Sequence, residues 1–249
     1  MKIKEYKHYL DIHCHYDHLT FQKIKEDLEK ENIISIVNTI NLKDYNKYQE
    51  IKKENIPTLY FAHGLYPDNV LKKEWKELEE ELLKIDFKEA LAIGEIGLDL
   101  KITSDPDKIN LQKKLFEKQL EIAEKLKKPV IVHTRGATKE TLEVLKNWQN
   151  VQVILHWFTG TDDEIKEALS RRYFLTQRFA RPYIENIENY LNQIFIETDV
   201  PVWYNGKETE IKSIKESYEV FCKKYNIPLE KTKERMINNF LKLFPNINI

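Results

Sequence analysis

Cysteine is nearly missing from this chain: Cys14 and Cys222 are the two thiols in 249 residues. That is too few for a disulfide framework, and the two stand too far apart in sequence for a cysteine-based zinc knuckle. No secretory leader is evident, and the basic start, MKIKEYKHYLDIH, becomes a strand without an intervening apolar region, so the expected setting is the cytoplasm. Long apolar runs are lacking as well. None approaches the roughly 20 residues of a membrane span, and no membrane partner is expected. Neither sign of charge is in excess: 40 Lys and Arg against 41 Asp and Glu leave a net charge of -1. The chain therefore lacks the cationic field of a protein that grips nucleic acid electrostatically, and a phosphate-bearing substrate must be attracted locally. Glycine is scarce, at six residues, and there is no P-loop, GxGxxG or GxSxG pattern. Gly94 and Gly97, on either side of Glu95, suit a tight turn better than a nucleotide cradle. No repeat, low-complexity tract or Pro/Gly linker divides the chain. Residues 1–249 are expected to form one domain, around a core that the 41% hydrophobic content can fill.

What is present is alternation. Short β-branched or aromatic runs, near Tyr9 to His13, Ile33 to Thr39, Thr58 to His63, Ala90 to Gly94, Val130 to His133, Val151 to His156, Tyr173 to Thr176 and Ile194 to Glu197, predict eight strands. Between them lie charged segments with helical spacing, such as LQKKLFEKQLEIAEKLKK from Leu111, whose Leu111, Leu115, Phe116, Leu120, Ile122, Ala123 and Leu126 approximate an apolar face. Strands buried on both sides and each followed by a helix pair in parallel, and eight such units favour a closed (β/α)8 TIM barrel over an open sheet. The seventh unit is the weakest, because RRYFLTQRF is short and Arg181-Pro182 follows closely. Glu210 to Tyr225 reads as the eighth helix, and Leu229 to Leu243 as a final helix outside the barrel.

Polar residues that bind metals gather where these runs end. His13, His15, Glu95, His133, His156 and Asp199 close five of the eight predicted strands. His13 and His15, two apart on a strand, project to one face, with Cys14 pointing the other way. A single histidine at a strand end is most often an ordinary hydrogen-bonded residue, and a lone Asp199 is readily a helix cap. Six candidate ligands at five strand ends call for a metal centre at the C-terminal mouth. Mixed nitrogen and oxygen donors suit Zn, Mn, Fe or Mg, and a carboxylate can bridge two ions for hydrolytic chemistry. His8 and His18 read as surface or supporting residues, and His63 as a strand end that at most lines the cavity. Lysine-rich stretches such as LKKEWKELEEELLK alternate with glutamate and read as solvated helix faces.

Several motifs then carry a resemblance: D-x-H-x-H-x-D at Asp11 to Asp17, G-E-I-G-L-D at Gly94 to Asp99, Q-x-x-x-F-x-x-Q-L at Gln112 to Leu120, P-V-I-V-H-x-R at Pro129 to Arg135, L-H-x-F-x-G at Leu155 to Gly160, E-T-D at Glu197 to Asp199 and N-x-x-x-L-F at Asn239 to Phe244. In this order, over nearly the whole chain, they resemble the TatD-type metal-dependent deoxyribonucleases of the amidohydrolase superfamily. The resemblance implies two divalent ions (Mg, Mn or Zn). His13 and His15 hold the first, Glu95 bridges, His133 and His156 hold the second, and Asp199 binds metal and takes the proton of the attacking water. Glu95 and Asp199 are thereby the catalytic carboxylates. Arg135 is placed to clamp a phosphate oxygen, with an ordinary ion pair as the plain alternative. Trp157 stands where it could stack on a base or pack in the core. Tyr66 departs from the family, which has histidine there, and puts a neutral hydrogen-bond donor in place of a metal ligand. Arg178, in an atypical loop without glycine, adds a phosphate contact or closes the rim. The substrate implied is DNA, as short or single-stranded ends. Two alternatives stay open: ester hydrolysis on an aminoacyl-tRNA at the same site, and a barrel without turnover that serves as a binding or scaffold protein.

Overall fold

The computed structural model describes residues 7–181 and 183–247. The first six residues, Pro182 and the last two, used above for the basic start, the seventh connection and the extent of the domain, lie outside them.

The eight apolar runs form one parallel sheet, hydrogen-bonded in sequence order: β1 (Tyr9–Cys14), β2 (Ile33–Asn38), β3 (Leu59–His63), β4 (Ala92–Asp99), β5 (Val130–Arg135), β6 (Val153–Leu155), β7 (Phe174–Gln177) and β8 (Ile194–Ile196). Parallel neighbours need a crossover, supplied by α1 (Phe21–Glu31), α2 (Leu42–Lys52), α3 (Trp75–Lys84), α4 (Pro106–Leu126), α5 (Thr138–Leu145) and α6 (Asp162–Ser170). The sheet curls into a nearly closed barrel. Its seam is made by the chain just past β8, where Asp199 N donates to His13 O and His15 N to Val200 O. The buried carboxylate of Asp11 adds two bonds across the seam, from Thr198 N at 3.0 Å and Thr198 Oγ1 at 2.6 Å. The expected (β/α)8 architecture is therefore present.

Three details differ from the expectation. Among its described residues the β7 to β8 connection holds no α-helix; two one-turn 3-10 segments, Ile187–Asn189 and Leu191–Gln193, stand in its place. Residues after Gln177 are instead used for a tight turn, described below, and no apolar face of helical spacing follows. β4 does not stop at Gly94 but continues to Asp99, pairing with β5 through Asp99↔Arg135 after a register shift between Ile93 and Ile96. Gly97 makes that pairing feasible: at φ +135, a Cβ there would lie 2.2 Å from His133 O. The chain after β8 forms a short antiparallel hairpin, β9 (Trp203–Tyr204) and β10 (Lys207–Glu208), that the alternation had not indicated.

α7 (Ser213–Tyr225) follows the hairpin, and α8 covers Leu229–Leu243 as expected. α8 lies against the N-terminal end of the barrel, where Asn239 Nδ2 donates to Leu191 O and Ile194 O and Phe240 meets Tyr60 near the start of β3. α4 braces the opposite end. Gln112 and Gln119, two helical turns apart on one buried face, each grip a backbone as a neighbouring strand would. Gln112 exchanges two hydrogen bonds with the Asp99 peptide groups, and Gln119 does the same with Leu65. Both clamps hold residues of the mouth.

Candidate metal centre

The six residues singled out at strand ends converge at the C-terminal mouth, where His15, Glu95, His133, His156 and Asp199 line a cavity of about 500 Å3 and His13 lies buried beneath them. β1 supplies His13, and His15 follows one residue beyond it. Their Nε2 atoms are 3.1 Å apart. Glu95 sits at the irregular step in β4, where the extra residue re-aims its side chain into the mouth. Its Oε2 lies 3.6 Å from His13 Nε2 and 3.3 Å from His15 Nε2. Asp199, in the left-handed region at φ 55, turns its carboxylate back toward the same pair: Oδ1 is 3.6 Å from His13 and 3.7 Å from His15. A tetrahedral ion with bonds of about 2.0–2.2 Å has ligand-to-ligand edges of about 3.3–3.6 Å, close to the distances of 3.1–3.7 Å between the two histidines and from them to each carboxylate.

The other oxygen of Glu95 faces β5 and β6. Oε1 is 2.8 Å from His133 Nδ1 and 3.8 Å from His156 Nε2, and His156 Nε2 is 3.9 Å from Asp199 Oδ1. Two groups among the described residues that could hold a metal ion are His13, His15, Asp199 and His13, Glu95, His156. His133 joins them through Glu95 alone. Its Nδ1 is a buried nitrogen without an aligned hydrogen-bond partner, despite the short approach to Glu95. That is the kind of orphaned donor a cation satisfies. The chemistry of the set agrees: nitrogen and oxygen donors, buried, with two carboxylates against four imidazoles.

Outer partners orient three of the rings. His15 Nδ1 donates to Asn38 O at 3.0 Å, His156 Nδ1 to the fully buried Glu197 at 3.0 Å, and His133 Nε2 to Asp99 at 3.2 Å. In each case the opposite nitrogen is left facing the cluster. Asp99 and Glu197 had been read only as letters of motifs, with no role. Their signal was positional, a carboxylate in the same strand as Glu95 and a carboxylate two residues before Asp199. Asp99 is a hub: Oδ2 also accepts from Tyr66 OH and from Arg135 Nε, both at 2.9 Å, and Oδ1 from Lys101 N at 2.9 Å.

Electrostatics follow from this crowding. Burial alone would raise Glu95, but the imidazoles, His13 foremost, outweigh it and hold the carboxyl well below its usual range. Asp199 is likewise drawn down to about 2, burial being overcome chiefly by His156 and His13. Burial pulls His156 down, but Glu197 and Asp199 push it up to about 10. Each is an attraction between positive and negative groups crowded at the mouth, which a divalent ion would serve equally.

Four residues had been expected to meet substrate. Tyr66 is tied inward, with its hydroxyl 2.9 Å from both Asp99 Oδ2 and His133 Nε2, and burial pushes its pKa up, so it stays a neutral donor. Arg135 forms the plain ion pair through Nε, yet its side chain is 56% exposed and lines the mouth. Trp157 also lines the mouth, with the Arg178 guanidinium 3.4 Å over its ring. Arg178 Nη1 is 3.6 Å from Asp199 Oδ2. Arg178 is presented by a two-residue turn in which Phe179 and Ala180 both take positive φ, 47 and 55, closed by Arg178 N to Arg181 O and Arg181 N to Arg178 O. Left-handed backbone costs a non-glycine residue about 1–2 kcal/mol. The turn is held by Phe179 N donating to Ser217 Oγ and by the Phe179 ring lying flat on Tyr204, 3.6 Å between centroids. His63 does not line the cavity: it packs outward beneath α2, edge-on to Tyr45 and 3.4 Å from Gln49 Nε2.

Comparison with known proteins adds a family. The family model described as TatD related DNase matches residues 10–245. An uncharacterized metal-dependent hydrolase of Methanocaldococcus jannaschii is 27% identical over 95% of this chain and 96% of its own. The human deoxyribonuclease TATDN3 is 26% identical over 96% and 95%. Among solved structures, YJJV, a TatD homolog from Escherichia coli K12, superposes with a TM-score of 0.77 at 23% identity, covering 95% of this chain and 98% of that one. That likeness speaks for the fold.

Proposed function

Because this chain belongs to the TatD related DNase family, we propose that it is a metal-dependent hydrolase of phosphodiester bonds, a deoxyribonuclease that trims short or single-stranded DNA ends. The observation that carries the reading is the division of Glu95: Oε2 faces His13 and His15 while Oε1 faces His133 and His156. Asp199 completes the first set. Held there, two divalent ions (Mg, Mn or Zn) would supply Lewis-acid activation of water and of the phosphoryl centre.

The chain's own residues do the rest. Asp199, kept ionised, accepts the proton of the attacking water. Arg178, 3.6 Å from it, and Arg135, half exposed at the rim, bind phosphate oxygens beside the scissile bond. Tyr66 donates to Asp99 and so steadies His133 instead of touching metal. Trp157 backs Arg178. Two unpaired thiols, with Cys14 buried, agree with action in the cytoplasm, and no helix among the described residues is long and apolar enough to cross a membrane.

The test is a digestion series on end-labelled single-stranded, duplex and closed circular DNA beside an aminoacyl-tRNA, with Mg, Mn and Zn compared. Linear DNA should shorten from its ends. Asp199→Asn should lose about a hundredfold or more of that activity while its circular dichroism is unchanged. Efficient cutting of closed circles contradicts end-directed action. Ester cleavage with all DNA untouched moves the assignment to the deacylase, and silence toward every substrate in the metal-loaded protein leaves the scaffold.

A further inference from the structure

We propose that the β9–β10 hairpin is a nucleobase subsite, in which Trp203 stacks on an unpaired base of a strand lying across the mouth. The proposal rests on the nucleic-acid reading above and adds where the base is held.

The hairpin is an addition to the eight barrel units, and its position gives it a purpose. Pro201 and Val202 line the mouth, and Trp203 is the next residue. Tyr204 and Lys207 pair across Asn205 and Gly206, both at positive φ (49 and 77), which is the tightest hairpin connection available. The hairpin is closed at its base and seated on the barrel by one ring. Thr209 N donates to Val202 O at 2.8 Å, and Val202 N to Thr209 Oγ1 at 3.0 Å. Tyr204 lies flat on Phe179, with centroids 3.6 Å apart and planes within 2°. Successive side chains of a strand point to opposite sides, so seating Tyr204 on the protein turns Trp203 outward. Trp203 is 73% exposed, an indole presented to solvent by an anchored support.

Two further observations favour a base as its occupant. One face of Trp157, the residue first expected to stack, already carries the Arg178 guanidinium at 3.4 Å. Asp68 of the mouth also lines a second groove, of about 550 Å3, that bears the exposed Lys43 and Lys72. An aromatic platform on one side and cations on the other suit the alternating bases and phosphates of a single strand. The other exposed large apolar side chains, Leu71, Leu83 and Tyr183, belong to other elements. Trp203 is thus a platform the size of one ring and not part of a wide apolar patch of the kind a protein partner covers.

The experiment follows indole fluorescence while a short phosphorothioate oligothymidylate, and an abasic strand of equal length, are titrated into the metal-loaded protein, its Trp203→Ala variant and its Trp203→Phe variant. Quenching by the base-bearing strand and not by the abasic one is expected. Affinity for the base-bearing strand should fall roughly tenfold in Trp203→Ala, about the worth of one base-aromatic stack. Trp203→Phe, measured by anisotropy of a labelled strand, should recover most of it. Equal binding of the two strands, or no change in Trp203→Ala, overturns the subsite. Failure of the phosphodiesterase reading looks different: no strand is cut, while the base-dependent quenching stays intact.

Discussion

Asp99 does for His133 what Glu197 does for His156: each carboxylate takes the outer N–H of an imidazole and leaves the other nitrogen aimed at Glu95. Such partners fix ring orientation and ligand basicity, and losing one weakens metal binding by about 10–100-fold. With two divalent ions bound as proposed, Asp99→Asn should therefore lower the affinity of the ion beside His133 by that factor in calorimetric titration, with the other little affected. Equal affinities would show that His133 needs no such support. His63 offers a second test away from the metals. Burial holds it at about 4, below the ordinary 6.5. Between those values the unfolded chain binds the extra proton, so the stability tied to neutral His63 is complete above about pH 6.5 and is lost as pH falls toward 4. The loss amounts to about 3 kcal/mol once pH is well below 4. Urea unfolding at pH 7 and pH 4.5 should show His63→Phe losing less stability than the parent over that interval. Parallel losses would place the acid sensitivity elsewhere.

At the scale of elements, β4 decides the site. Its register shift turns Glu95 inward, its continuation to Asp99 supplies the hub, and Gly97 allows β5 to come close enough to bring His133. Gly97→Ala places a methyl 2.2 Å from His133 O in a conformation an L-residue avoids. It should cost about 2 kcal/mol or more in denaturant unfolding and reduce metal uptake at the same time. A variant with parental stability and full metal content would show that β5 yields freely. Strands were the most legible elements because short apolar runs bounded by charge have few other uses, and α8 was legible from its amphipathic spacing. The β7 connection was not, since a helix was inferred from the rhythm of the other units and not from its own residues. The β9–β10 hairpin carried an explicit signal, Asn205-Gly206 between aromatic and charged residues, which eight-unit counting passed over.

For the whole molecule, a net charge of -1, with lysines balanced by carboxylates on the outer helix faces and Arg135 and Arg178 beside the metal site, implies that few phosphates are neutralised on binding. The log-log dependence of oligonucleotide affinity on salt should have a slope of roughly -1 to -3, measured by anisotropy from low to moderate salt. A much steeper slope would require a long electrostatic track and argue against recognition at the mouth. The nearly closed barrel explains how such a site is built from distant residues. Each parallel strand delivers its C-terminal end to the same rim, so ligands far apart in the chain meet without any local motif joining them.

The sequence by itself determined the barrel and the six residues brought to its mouth, because burial period and strand-end placement are local properties that a parallel topology converts directly into a shared rim. Tertiary structure alone decided which oxygen of Glu95 faces which histidines, that His133 meets the others through Glu95 alone, and that Asp99 and Glu197 aim the rings. It also decided that Tyr66 is drawn to Asp99, that Arg178 covers Trp157 and that Trp203 stands in the open. These depend on register, on the turn of single backbone angles and on contacts between strands distant in sequence. An error of one residue reverses a side chain's face, so the spacing of letters cannot carry that information.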